Sequence, residues 1–319
     1  MSIVTRCTNY RKAAVIGCGF VGSATAYSLM ESGLFSEMVL IDINKDRAEG
    51  EALDISHGIP FAKQMKIYAG SYDDITDASV IIVTAGANQA PGETRLDLVH
   101  KNIKIFKSLI PEISKRNFSG VLLIVSNPVD ILTYAAIKIS GFPSHRVIGS
   151  GTVLDTARLK YNLGEDLEVD SRSIHAFIIG EHGDSEFAVW SSANISGIPI
   201  GNFFELRGNK NPDKYMSDIA DEVKNSAYEI IKRKQATYYG IASAVKRICS
   251  AIVRDEKSIL PVSSMINGSY GLNDIVLSMP AIVGANGAES TVSISLDSDE
   301  QEKLDQSAQT LSRVLADIF

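Results

Sequence analysis

The 319-residue chain is 45% apolar and 22% charged, with 24 glycines against 9 prolines, an ordinary globular composition that excludes disordered, collagenous and coiled-coil proteins. Its 31 basic and 38 acidic side chains leave a net charge of −7, which argues against a nucleic-acid or anionic-membrane binder. No apolar run approaches the ~20 residues of a membrane span, and Cys7, Cys18 and Cys249 form no CxxC or Cys/His cluster, so neither a metal site nor a disulfide framework is expected.

An odd, scattered cysteine set fits a reducing compartment. The N-terminal MSIVTRCTNYRK also lacks the apolar core of a signal peptide. A cytoplasmic location is therefore expected.

The first half alternates short β-rich runs with amphipathic stretches. Strands are predicted at 12–17, 38–43, 65–69, 80–85, 121–126 and 147–149, and helices at 23–32, 45–57 and 96–116. Continuous apolar strands separated by helices imply a parallel sheet covered on both faces, with a doubly wound topology. After Gly151 the rhythm changes. Helices are predicted at 153–163, 213–233 and 241–253, and β-rich runs at 174–179, 259–262, 274–283 and 291–294. The last runs do not alternate with helices, so an α+β unit with antiparallel strands is expected there. A C-terminal helix over 299–318 starts from Asp297 or Ser298. The division is thus 1–150 for a dinucleotide-binding domain and 151–319 for a substrate domain, tightly packed.

The first strand leads into Gly17-Cys18-Gly19-Phe20-Val21-Gly22, a GxGxxG opening a helix, and Asp42 stands twenty residues after Gly22 at the end of the second strand. Strand, glycines, helix and acid in this order make the dinucleotide fingerprint. Gly17 allows the turn, Gly19 lets the backbone approach a pyrophosphate, and Gly22 lets the helix pack on the strand. The helix N-terminus offers N–H groups and a positive dipole end to phosphate. Asp42 can accept from ribose hydroxyls and repels a 2′-phosphate, which favours NAD; its plainer role is a turn or cap.

The segment after the fourth strand, Gly86 to Arg95, has the glycines and proline of a lid with hinges. Arg95 at its end can swing in as a cation or remain a solvated first-turn residue. Asn127, before Pro128, can bond a ligand oxygen or simply form a turn. Thr152 and Asp155 have the spacing of a capping box, and Asp155 and Arg158 are i and i+3 on one helix face. They are either a cap with a local ion pair or a carboxylate beside a guanidinium that grips a substrate carboxylate. Of the five histidines, His182 differs, enclosed by glycines in GEHGD. Such a loop can present an imidazole to a cleft.

The ordered set GCGFVG with Asp42, AGANQAPGETRLDLV, SNPVD, GSGTVLDTAR, GEHGD and ATYYGIA resembles the NAD-dependent lactate/malate dehydrogenases, bacterial type, over essentially the whole chain. The resemblance implies a Rossmann domain, NAD as cofactor and a 2-hydroxy acid as substrate. By it, His182 is the general acid/base, oriented by Asp155. Arg158 clamps the substrate carboxylate, and Arg95 on the closing lid polarises the carbonyl. Asn127 bonds substrate or nicotinamide, Thr237 lines the pocket near the substrate's side group, and Ser150 contacts the nicotinamide carboxamide. Malate-specific members carry an arginine where this chain has Gln89. A neutral glutamine leaves a second carboxylate unpaired, at a cost of several kcal/mol. The resemblance therefore implies pyruvate and L-lactate, with malate or a bulkier 2-hydroxy acid as alternatives. A catalytically silent NAD-binding protein would need none of these residues together. It further implies a homotetramer, and in some relatives activation by fructose 1,6-bisphosphate at positions matching Lys160 and His175. Those two can equally be a surface lysine and a core-edge histidine.

Overall fold

A computed structural model describes the chain over residues 9–87 and 94–319. Cys7 and Gln89 lie outside the described residues, and so do the side chains of Asn9, Tyr10 and Arg95.

The first half runs β1 (Asn9–Ile16), α1 (Phe20–Ser32), β2 (Glu37–Ile41), α2 (Lys45–Ser56), β3 (Lys66–Ala69), β4 (Ala78–Val83), α3 (Arg95–Ser114), β5 (Val121–Ile124), α4 (Val129–Ser140) and β6 (Val147–Gly149). The strands are parallel in the order β6-β5-β4-β1-β2-β3. The order reverses between β4 and β1, so a crevice opens at the C-terminal ends of these strands. Alternate side chains serve opposite faces. Ala14, Ile16, Ile81, Val83, Leu122 and Ile124 enter one core, while Ala13, Val15, Val80, Ile82, Val121 and Leu123 enter another. Burial on both faces is why these strands read as unbroken apolar runs.

The second half continues with α5 (Val153–Leu167), the short strands β7 (Ile174–His175), β8 (Ile178–Ile179), β9 (Phe187–Ala188), β10 (Asn194–Ile195) and β11 (Ile198–Pro199), then α6 (Ile200–Leu206), α7 (Pro212–Lys234) and α8 (Tyr239–Val253). It ends with β12 (Ser258–Asn267), β13 (Asn273–Gly284), β14 (Gly287–Thr291) and α9 (Ser298–Ala316). As expected, β12, β13 and β14 are antiparallel to one another. They do not form a sheet of their own: β12 pairs with β6 at Ser263 and Gly149, giving one nine-stranded sheet across both halves. A third core, including Leu159, Leu163, Ile174, Phe204, Ile219 and Val223, lies under α5, α6 and α7.

Three local expectations need correction. The run 174–179 is two strands in different sheets, β7 against β10 and β8 against β9. The strand expected at 291–294 instead starts at Gly287, because the hairpin closes at Ala285–Asn286 with Gly284 opposite Gly287. Thr152 does not cap α5 with its side chain. Its hydroxyl donates to the carbonyl of Ile178 at 2.5 Å, tying α5 to β8. The C-terminal helix does have its acidic cap: Asp297 and Glu300 form a capping box.

Candidate active site

The glycine loop sits at the crevice. Gly17 has φ +99°, and an added Cβ would lie 2.6 Å from the Ala85 nitrogen. A Cβ on Gly22 would lie 1.8 Å from the Gly17 carbonyl oxygen, whereas around Gly19 nothing stands within 4 Å. The turn is therefore closed where the helix packs and open where a phosphate would approach. Gly19, at the N-cap of α1, has no side chain to occupy the helix N-terminus, and the first turn of that helix holds no acid. Asp42 accepts from the Cys18 N–H at 2.6 Å and the Asn44 N–H at 2.9 Å. It thus braces the loop, and an ionised carboxylate still has lone pairs for ribose hydroxyls. These residues fit a dinucleotide.

The catalytic candidates come from the next strand ends and from α5. Asp155, Leu159, Leu163 and Leu167 form one buried stripe at i+4 spacing. Packing of that stripe takes the Asp155 carboxylate to 2% exposure. Arg158, one turn on, donates from Nη1 to Asp155 Oδ1 at 2.8 Å. The other oxygen, Oδ2, stands 2.8 Å from His182 Nδ1. This is an ion-pair distance rather than an aligned hydrogen bond. Glu186 Oε2 lies 3.4 Å from the same nitrogen. With Nδ1 turned to carboxylates, Nε2 is the ring atom left for a substrate.

Burial alone would push the His182 imidazolium down, but Asp155 and then Glu186 outweigh it and hold His182 protonated well above the usual histidine range. Burial likewise works against the Asp155 carboxylate, yet His182 and Arg158 keep its carboxyl below the ordinary value.

The cavity here has a volume of about 420 Å³ and is walled by Asn127, Asp155, Arg158, His182, Glu186 and α7. Asn127 is exposed at the end of β5, and the Asn127–Pro128 peptide is cis. From α7, Lys224, Ala227, Tyr228 and Ile231 face the cavity, and Tyr228 Oη donates to Asp184 at 3.2 Å.

Of the predicted residues, Asn127, Asp155, Arg158 and His182 therefore share one cavity. Thr237 is half-buried in the connection between α7 and α8 and does not line that wall. Ser150 is buried at the end of β6, its N–H donating to Ile124 at 2.8 Å. Arg95 begins α3 behind the capping box of Thr94 and Asp97. Lys160 is half-buried on α5, where burial lowers its ammonium from the usual lysine range. His175 is exposed on β7 opposite Asn194. Cys18 is 1% exposed and its thiol is pushed up to about 12 by burial, which makes it an inert core group.

Three supports were missed in the sequence. Asp130, 2% exposed, accepts from the His182 N–H at 2.8 Å and the Ser263 hydroxyl at 2.6 Å. Asn102 donates to the Asn127 carbonyl at 2.8 Å and accepts from the Ala87 N–H at 2.7 Å, joining the segments that leave β4 and β5. Glu186 is the third. Asp130 in SNPVD carried a signal, an acid one residue inside a helix start, whereas Asn102 and Glu186 carried none.

A dinucleotide loop on a doubly wound sheet, beside an imidazole backed by a carboxylate and a guanidinium, is the equipment of an oxidoreductase that moves a proton with a hydride. Residues 11–149 match the lactate/malate dehydrogenase NAD binding domain, and residues 152–319 match the lactate/malate dehydrogenase alpha/beta C-terminal domain. The chain is 52% identical over 308 residues to L-lactate dehydrogenase 1 of Clostridium acetobutylicum, covering 97% of this chain and 98% of the relative. It is 53% identical over 305 residues to the L-lactate dehydrogenase of Acetivibrio thermocellus, covering 96% of each. Among solved structures, the ligand-bound minor L-lactate dehydrogenase of Enterococcus mundtii superposes with a TM-score of 0.93 at 43% identity, covering 97% of this chain and 98% of that one. The lactate dehydrogenase MGS-M5, from a Medee basin deep-sea metagenome library, gives 0.93 at 44% identity, with 98% and 99% covered. The chain belongs to the lactate/malate dehydrogenase family and is an NAD-dependent oxidoreductase.

Proposed function

We propose that the chain is an L-lactate dehydrogenase interconverting pyruvate and L-lactate in the cytoplasm, as a fermentative step. The observation that carries this reading is the contact of His182 Nδ1 with Asp155 Oδ2 at 2.8 Å beside Arg158, in one cavity with Asn127. Gly17, Gly19 and Gly22 would hold the pyrophosphate of NAD, Asp42 its ribose, and Ser150 and Asn127 its nicotinamide; when bound, it would supply or accept the hydride at the substrate's C2. His182 gives a proton from Nε2 to the carbonyl oxygen during reduction and removes it during oxidation. Asp155 fixes the ring so that Nδ1 keeps its own proton. Arg158 takes the substrate carboxylate through the N–H groups that Asp155 does not use. Arg95 arrives with the 86–95 segment, excludes water and stabilises charge developing on the carbonyl oxygen. Thr237 and Gln89 border the substrate's side group.

In this reading 1–150 is the NAD-binding domain and 151–319 the substrate domain. The assembly is a homotetramer, and Lys160 with His175 binds fructose 1,6-bisphosphate. Lys160 lies about 200° around α5 from Arg158, so it faces away from the catalytic side. Millimolar effector should lower the KM for pyruvate, and the effect should vanish in His175→Ala. Equal kinetics with and without effector remove the effector from the reading.

Substrate choice is tested by following NADH consumption with a panel of 2-keto acids. Pyruvate should be reduced well and oxaloacetate poorly, and Gln89→Arg should shift the preference towards oxaloacetate. A wild type that prefers oxaloacetate contradicts the assignment.

A further inference from the structure

His182 has a second carboxylate. Glu186 Oε2 stands 3.4 Å from Nδ1, four residues along the same loop, and its side chain is 6% exposed. Its own anchor is the Gly183 N–H, which donates to Oε2 at 3.3 Å. Nδ1 makes no aligned hydrogen bond, so Asp155 at 2.8 Å and Glu186 at 3.4 Å both act on it as charges.

The charges around the ring can be counted. From α5 come Asp155 and Arg158, joined to each other at 2.8 Å. From the loop come Glu186 and Asp184, with Glu181 just before the histidine. From the start of α4 comes Asp130, which binds the His182 backbone N–H. From α7 come Lys224 and Tyr228, which bond Asp184 through its carbonyl and carboxylate respectively. Arg158 already offsets the charge of Asp155. With Asp155 alone, a protonated His182 would leave the inner cluster one positive charge in excess. Glu186 brings that cluster of Asp155, Arg158, His182 and Glu186 to neutrality with the imidazolium in place.

We infer that Glu186 is a positioning residue of the acid/base pair: it sets a second negative charge beside Nδ1 and extends to higher pH the range in which His182 acts as the acid. The inference rests on His182 being the acid/base of the proposed reaction. Opposite charge within ~4–6 Å favours the charged form of a group. Glu186 works on Nδ1, the ring nitrogen away from the substrate in the proposed reaction.

Glu186→Gln separates charge from shape, because the amide oxygen can still accept from Gly183. The alkaline limb of kcat/KM for pyruvate should move down by about one pH unit, so activity above the limb falls about tenfold while activity at pH 6 stays within about twofold. Nitrogen-15 NMR titration of His182 in the same variant should show the same downward move. If Glu186→Gln does not fold, Glu186→Ser removes the charge with a smaller side chain and should give the same shift. A limb and a ring titration that stay within about 0.3 unit of wild type, or move upward, overturn the inference. The titration needs no turnover. Failure of His182→Asn to lower activity would strike the acid/base reading, whereas an unmoved titration in Glu186→Gln strikes this one alone.

Discussion

His182 illustrates how much chemistry one contact sets. Its Nδ1 lies against Asp155, so turning the ring over would take the imidazole nitrogen away from Asp155 Oδ2. His182→Asn should leave NADH binding nearly intact and cut turnover by ~10²-fold or more, as measured by cofactor fluorescence titration and steady-state kinetics. Arg158→Lys should raise the KM for pyruvate, because an ammonium cannot make the planar fork while also serving Asp155. The pair also makes stability depend on pH. The folded value of His182 is raised above its unfolded one, so its contribution is complete below pH ~6.5 and fades as pH rises through the folded value. Asp155→Asn, which breaks the pair, should cost on the order of 3 kcal/mol in urea melts at pH 6 and less at pH 9. A deficit that grows with pH would contradict this pairing. At this scale the sequence was informative wherever residues sat in a motif, as with GEHGD and Asp155 to Arg158. It was silent for Glu186 and Asn102, whose partners come from loop geometry rather than spacing.

At the scale of elements, short glycine-bearing segments and single buried acids position the site. Gly22→Ala would place a methyl group 1.8 Å from the Gly17 carbonyl, so α1 must move away from the phosphate-binding turn. NADH affinity should fall at least tenfold by fluorescence titration, the result expected if this turn holds the cofactor. Asp130 joins α4 to the His182 loop and, through Ser263 and Ser278, to β12 and β13. Burial pushes its carboxyl up to about 6. Asp130→Ala orphans the His182 N–H and should lower stability by ~1–3 kcal/mol while reducing kcat more than NADH binding. The amphipathic helices and apolar strands were readable because each buries one stripe or both faces. The α4 helix was not: Val129 through Ile137 are all buried, so no polar face marks its period. The two-residue strands β7 to β11 are too short to show any period.

The whole molecule is organised by one nine-stranded sheet that crosses the middle of the chain. A division at residue 150 matches the change of rhythm in the sequence, yet β12 completes the edge of β6 by pairing Ser263 with Gly149. That junction was hidden because a single pairing across more than a hundred residues leaves no local pattern. Both halves should unfold together. Trp190, the one tryptophan, reports on the second half, and far-ultraviolet dichroism reports on the whole chain. The two urea transitions should coincide. Well-separated midpoints would make the halves independent. The central claim, that the Asp155–His182–Arg158 cavity reduces pyruvate, is tested most directly by the absorbance of NADH with pyruvate, for wild type and His182→Asn side by side. The account predicts rapid NADH loss with formation of L-lactate in the wild type and a rate at least ~10²-fold lower in the variant. No NADH loss in the wild type, or equal rates in the two proteins, would contradict it.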